Sequence, residues 1–215
     1  MKTLAILAQK GGSGKTTIAV HMAVCAARRK LKTAIVDIDP QRSAFQWNES
    51  RSDERKLDAV AADAGQLAAL LRQADAAGVQ LAIIDTAPHS SGDAALAAKL
   101  ADLILIPCRP ARFDLDAIAS TLEIAKAANT PAAVVINAAA TRGKLAEEAG
   151  VALTRQGIIV LNTILHQRVA YSHAVIDGRS VHEYEPDGAA AAEVEELYHH
   201  VTRLYGSSER KVKAA

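Results

Sequence analysis

Short runs that are apolar at nearly every position alternate along the chain with longer stretches in which apolar residues recur at helical spacing. The continuous runs lie at 3–8, 33–38, 81–84, 103–107, 132–136 and 158–161, with a weaker one at 57–60. Runs this short, bounded by turn residues or polar clusters, read as strands buried on both faces, as in a parallel sheet. Between them, 18–29, 65–76, 94–101, 113–128, 144–156, 168–174 and 189–205 carry the helical pattern; in the last, Ala192, Val194, Leu197 and Val201 mark one side. Residues 48–56 are polar without a period and read as a helix end and surface loop. Strand alternating with helix predicts α/β architecture: one domain over 1–205, a mostly parallel sheet flanked by helices. Residues 206–215 are polar and read as a disordered tail.

Composition narrows this picture. Half of the 215 residues are apolar and only 3% are aromatic, which suits helices packed closely on a sheet and argues against disorder. The formal net charge of +1 announces no nucleic-acid partner, so any DNA binding would need a local patch. Cys25 falls in the apolar pattern of the first helix and Cys108 follows a strand; neither has metal-ligand spacing, and both read as core residues. No apolar run approaches membrane-spanning length, and the residues ahead of the first loop are too few for a secretory signal, so a cytoplasmic protein is expected.

The candidate chemistry sits at strand ends. After the first strand comes Ala8-Gln9-Lys10-Gly11-Gly12-Ser13-Gly14-Lys15-Thr16-Thr17, and then a helix. Strand, glycine-rich loop and helix are the context of a phosphate-binding loop: backbone N–H groups and the helix dipole face the anion, Lys15 reaches the phosphates and Thr16 is placed to ligate Mg²⁺. The second strand runs into Asp37-Ile38-Asp39-Pro40-Gln41 and the next clear one into Asp85-Thr86-Ala87-Pro88. Carboxylates at the carboxyl ends of parallel strands lie where ligands bind in open sheets.

The string Lys-Gly-Gly-x-Gly-Lys-Thr-Thr at 10–17 resembles the deviant Walker A motif of the ParA/MinD family of P-loop ATPases. Asp-x-Asp-Pro-Gln at 37–41, Asp-Thr-x-Pro at 85–88, the stretch 106–116 and the segments 167–171 and 178–181 resemble the family as well. The resemblance implies ATP and Mg²⁺ as cofactors, with Gly11, Gly12, Ser13, Gly14, Lys15, Thr16 and Thr17 around the phosphates. Thr16, Asp85 and Asp37 would stand at the metal, and Asp39 would position the attacking water. It gives Lys10 the role of a cation delivered to the nucleotide of a facing subunit, so that catalysis depends on homodimer formation. Asn137, at the end of a strand, would read the adenine edge or merely close a turn. Asp114 and Asp116 either lie near the subunit interface or serve as N-terminal helix residues.

The implied function is an ATP-dependent partition or positioning ATPase, acting with a ParB-like adaptor and non-specific DNA to segregate plasmid or chromosome. Arg168, Arg179, Lys211 and Lys213 are the candidate DNA contacts, each with an equal reading as a solvated surface charge. A MinD-like or other cargo-positioning ATPase and a small-molecule phosphotransferase on the same scaffold are the alternatives. The tail has a single bulky apolar residue, Val212, which argues against a membrane-binding helix there.

Overall fold

Seven strands form one parallel sheet in the computed structural model, which describes the backbone of residues 1–212 and the side chains of residues 1–205. They are β1 (Lys2–Ile6), β2 (Thr33–Asp37), β3 (Asp58–Ala61), β4 (Leu81–Asp85), β5 (Leu103–Cys108), β6 (Ala132–Ala139) and β7 (Val160–His166). Their order across the sheet is β3-β2-β4-β1-β5-β6-β7, every pair parallel. The helices are α1 (Lys15–Arg28), α2 (Ser43–Glu49), α3 (Leu67–Ala76), α4 (Ser91–Leu100), α5 (Arg112–Ala128), α6 (Leu145–Arg155), α7 (Val169–Ile176), α8 (Val181–Tyr184) and α9 (Ala189–Val212).

The two-residue period of the strands divides the apolar side chains between two cores. Leu4, Ile6, Ile83, Leu105 and Val135 face α1 and α9, while Ala5, Ile84, Ile104, Ile106 and Val134 face α3, α4, α5 and α6. Central strands are therefore apolar at consecutive positions, which is why they read as continuous runs. Each fully buried Leu or Ile contributes roughly 1.5–3 kcal/mol. In α1, Ala19, Ala23 and Ala26 are wholly buried, and their small side chains let the helix lie close on the sheet.

Parallel pairing fixes where the polar strand ends meet. In the β2–β4 register Asp37 stands opposite Asp85, and in the β1–β4 register Ile6 stands opposite Asp85. The loop that leaves β1 thus begins beside both acids. β1 is flanked by β4 on one side and β5 on the other, so the connections diverge at its carboxyl end and open a crevice there.

Several local features differ from the sequence expectation. β7 lies at Val160–His166 rather than 158–161; it is an edge strand with exposed Asn162, and its inward Thr163 shares a hydrogen bond with His200 of α9 at 2.6 Å. A polar residue satisfied from a distant helix hides the alternation. α8 is a short helix closed by a Ser180–Glu183 capping box, whose period is too brief to register. The stretch 48–56 is not simply a surface loop, because Arg51 is only 5% exposed. Its guanidinium binds both Glu183 oxygens at 2.8 and 3.1 Å and the Gly178 carbonyl at 2.9 Å, and it stacks over Trp47. At the C-terminus the α9 backbone is helical to Val212; residues 213–215 lie outside the described residues.

Candidate functional site

Two residues past β1 the chain leaves the sheet and turns into α1 through glycines held at φ +72° (Gly12) and +94° (Gly14). Those angles are ones L side chains resist. Gly14 is the N-cap of α1; no side chain caps that end and no acidic residue occupies its first turn. The unshared N–H groups and the positive end of the dipole are thereby left for an external anion. A Cβ on Gly14 would collide with the Asn137 amide, which donates to the Ser13 carbonyl at 2.6 Å. Asn137 reaches it because β6 continues past Ile136 through a residue of positive φ, Ala138, with register shifts against β7.

Lys15, the first residue of α1, is only 6% exposed. Burial pushes its pKa below the ordinary lysine value, while Asp85 and Asp39 oppose the shift. Asp85 is fully buried, and neither carboxylate oxygen has a hydrogen-bond partner of normal geometry among the described residues. Burial is the main cause raising its pKa to about 7. The nearby Thr16 hydroxyl and Lys15 pull it down, and Asp37 and Asp39 push it further up. A buried carboxylate without a partner is costly. With a threonine hydroxyl beside it, it supplies the hard oxygen ligands that suit a partly hydrated Mg²⁺.

Asp37 and Asp39 are used differently. Asp37 is fully buried and accepts the backbone N–H groups of Asp39 at 3.1 Å and Phe45 at 3.0 Å. Both of its oxygens are thus committed to shaping the turn after β2. Asp39 is partly exposed at the mouth and accepts only the Gln41 N–H at 2.9 Å, which leaves its other oxygen open to solvent.

Lys10 does not lie over its own loop. Its Nζ binds Oδ2 of Asp114 in the first turn of α5 at 2.9 Å and sits 5.9 Å from the centre of the exposed Phe113 ring. Asp114 is 8% exposed, so Lys10 is the counter-ion of a nearly buried carboxylate.

Behind the loop a cavity of about 200 Å³ opens between α1, the ends of β6 and β7, α7 and α9. Gly14, Thr17, Asn137, His166, Arg168 and Tyr171 line it. Three of these lining side chains are tied together by Glu193 of α9, which accepts from His166, Arg168 and Tyr171 at 2.6–3.3 Å.

A family model described as the CobQ/CobB/MinD/ParA nucleotide binding domain matches residues 4–181. The chain belongs to that family. This CobQ/CobB/MinD/ParA member is 30% identical over 201 residues to the maintenance of carboxysome distribution protein A of Halothiobacillus neapolitanus, covering 89% of this chain and 91% of the relative. It is 26% identical over 205 residues to protein ParA of Rhizobium radiobacter, covering 91% and 92%. Among solved structures, MinD from Pyrococcus horikoshii complexed with Mg-ADP matches with a TM-score of 0.76 at 16% identity, over 95% of this chain and 97% of that one. Apo McdA of Cyanothece matches with 0.73 at 20% identity, over 94% and 98%. At these identities the structures establish the shared fold.

In this CobQ/CobB/MinD/ParA domain the loop and acids expected at the phosphates and metal converge at the carboxyl ends of β1, β2 and β4, whereas the two described arginines expected at DNA each bind a carboxylate of the same chain. Arg168, on the cavity wall, is bound to Glu193, and Arg179 pairs with Asp177 and stacks over Tyr184. Of Lys211 only the backbone, within α9, is described, and Lys213 lies outside the described residues. Thr86, within the strand-end motif read from the sequence, donates to the Ile6 carbonyl at 2.9 Å, whereas His166 of the cavity and Glu193, which binds it, escaped the sequence reading. Nothing contiguous marks them, since the elements that carry them meet only in the folded chain.

Proposed function

We propose that this chain is a Mg²⁺- and ATP-dependent positioning ATPase that dimerises on ATP and moves a cargo with the help of an adaptor protein and non-specific DNA. The observation that carries the reading is the pairing of two loop lysines with different surroundings. Lys15 is buried beside Asp85 and serves the phosphates from within the subunit. Lys10, half-exposed on Asp114, is free to exchange that partner for a phosphate across an interface. A cation delivered only in the dimer ties hydrolysis to assembly.

In this reading the loop amides and Lys15 hold the polyphosphate, Thr16 and Asp85 hold Mg²⁺, and Asp39 orients a water from the mouth of the site. Bound Mg²⁺ would supply neutralisation of charge on the phosphates. Asp37 supports the site by fixing the turn that presents Asp39. Asn137 and the cavity behind the loop would receive the nucleoside. The 30% identity to a carboxysome distribution protein over nearly the whole chain favours a protein assembly as cargo over a replicon. The absence, among the described residues, of a helix long and apolar enough to cross a membrane is compatible with work at a DNA surface.

The test separates the two lysines. Lys15→Ala is expected to abolish ATP binding, at least a hundredfold in affinity given the loss of a buried charge contact to phosphate, roughly 3 kcal/mol or more. Lys10→Ala is expected to keep nucleotide binding by the single subunit but to lose ATP-induced dimerisation, measured by light scattering with a slowly hydrolysed analogue. A Lys10 variant that dimerises and turns over normally would overturn the proposal. So would hydrolysis that occurs only when a small-molecule acceptor is present.

A further inference from the structure

Away from the nucleotide site, Cys25 of α1, His182 of α8 and Glu195 of α9 converge. One ligand atom of each lies within 4.8 Å of the other two. Cys25 Sγ is 3.6 Å from Glu195 Oε2 and His182 Nε2 is 3.4 Å from the same oxygen. In a tetrahedral zinc site, with metal–ligand bonds of 2.0–2.3 Å, ligand atoms stand about 3.3–3.8 Å apart, so two of the three separations already have that spacing. His182 is 5% exposed, and neither ring nitrogen has a hydrogen-bond partner among the described residues. A buried imidazole aimed at a carboxylate and a thiol with no hydrogen bond made is an unsatisfied group. We propose that Cys25, His182 and Glu195 form a binding site for a thiophilic divalent cation, Zn²⁺ being the ion they suit, with the fourth position open toward solvent and His199.

The donor set chooses the ion. One sulfur, one nitrogen and one oxygen suit Zn²⁺ and disfavour Mg²⁺ and Ca²⁺, which take oxygen ligands. On binding, the Cys25 S–H bond breaks, its proton leaves to solvent and the thiolate sulfur bonds the metal. Thiolate and carboxylate together then carry two negative charges against the ion's two positive ones. Entry is open from the outer side, where Glu195 is 40% exposed and His199 Nε2 stands 3.3 Å from its other oxygen. Arg29 takes the cation's place in this structure: it donates to Cys25 Sγ at 3.0 Å, pairs with Glu195 and stacks over Tyr198. At 28% exposed it has solvent to swing into. The ion would tie the helix that follows the phosphate loop to α8 and α9.

The full chain, stripped with a chelator and then titrated with Co²⁺, is expected to take up one equivalent with a thiolate-to-cobalt charge-transfer band that Zn²⁺ bleaches. Cys25→Ser should remove the band and weaken Zn²⁺ at least about a hundredfold, and His182→Ala at least about tenfold. Cys108→Ser and saturating Mg-ADP should leave both unchanged. Arg29→Gln, which removes the competing cation, should tighten binding about tenfold. Circular dichroism of each variant separates loss of ligand from loss of fold. A folded wild-type chain that shows no charge-transfer band and holds no stoichiometric Zn²⁺ would overturn the proposal, as would a band that survives Cys25→Ser or follows Cys108.

Discussion

Asp85 is fully buried in the nucleotide site, and its protonation makes stability depend on pH. Its folded pKa, about 7, lies above the unfolded 3.8, so between those values the folded state holds a proton that the unfolded state has lost. Stability of the nucleotide-free protein therefore falls as pH rises from about 4 to about 7 and is level above that. Asp85→Asn, which cannot ionise, is expected to show little gain near pH 4 and a gain on the order of 1–3 kcal/mol at pH 8, while losing Mg²⁺-nucleotide binding. Urea titrations across that range check it; a gain independent of pH would mean the carboxylate is not ionising where its burial implies. In the proposed function that cost in stability is the counterpart of Mg²⁺-nucleotide affinity, because a buried carboxylate is relieved when a cation binds it.

At the scale of elements, backbone conformation shapes the site, and a buried ion pair ties elements together away from it. Gly12 and Gly14 both have positive φ, but only Gly14 has a neighbour where a Cβ would go. Gly12→Ala is expected to cost about 1–2 kcal/mol from conformation alone. Gly14→Ala should cost more and also abolish nucleotide binding, because the loop must shift away from Asn137. Asn137→Ala in the Gly14→Ala background should recover part of the excess but not the conformational share, a coupling that a double-mutant cycle measures. Equal costs for the two glycine variants would contradict the close approach. Elsewhere, Arg51 joins the chain after α2 to α8. Although burial alone would raise the Glu183 pKa, the Arg51 pair and the Ser180 amide hold it below the usual value. Arg51→Ala leaves the largely buried Glu183 without its cation, with an expected loss of about 3–5 kcal/mol by chemical denaturation. A cost under 1 kcal/mol would show the pair to be dispensable.

Taken as a whole, the molecule is nearly neutral, and the two described candidate arginines each face a carboxylate of the same chain. DNA association by the proposed ATP dimer should therefore be modest at physiological salt and indifferent to sequence, and should weaken further as salt rises. Arg179→Ala is expected to weaken it equally on all sequences and to reduce the salt slope by about one unit. Arg168→Ala should also loosen the cavity wall that Glu193 ties together and lower nucleotide affinity. Filter binding over a salt series distinguishes them; an Arg179 variant with unchanged slope would reassign that residue to packing against Tyr184.

The sequence by itself determined the α/β class, the central strands, the phosphate loop and the acids at the strand ends. Those signals are local: a buried parallel strand must be apolar at consecutive positions, and a loop that wraps phosphate needs its glycines, lysine and threonine adjacent in the chain. Register then follows from a few turns, which is why Asp37 and Asp85 stand side by side as their strand-end positions suggest. Only the tertiary structure decided which partner each polar side chain takes. Lys10 meets Asp114 across 104 residues of sequence and Arg51 meets Glu183 across 132, and the convergence of Cys25, His182 and Glu195 depends on three helices packing together. At such separations pairing is set by how elements stack on the sheet, and isolated charges read from the chain look the same whether they end in solvent or beneath a helix.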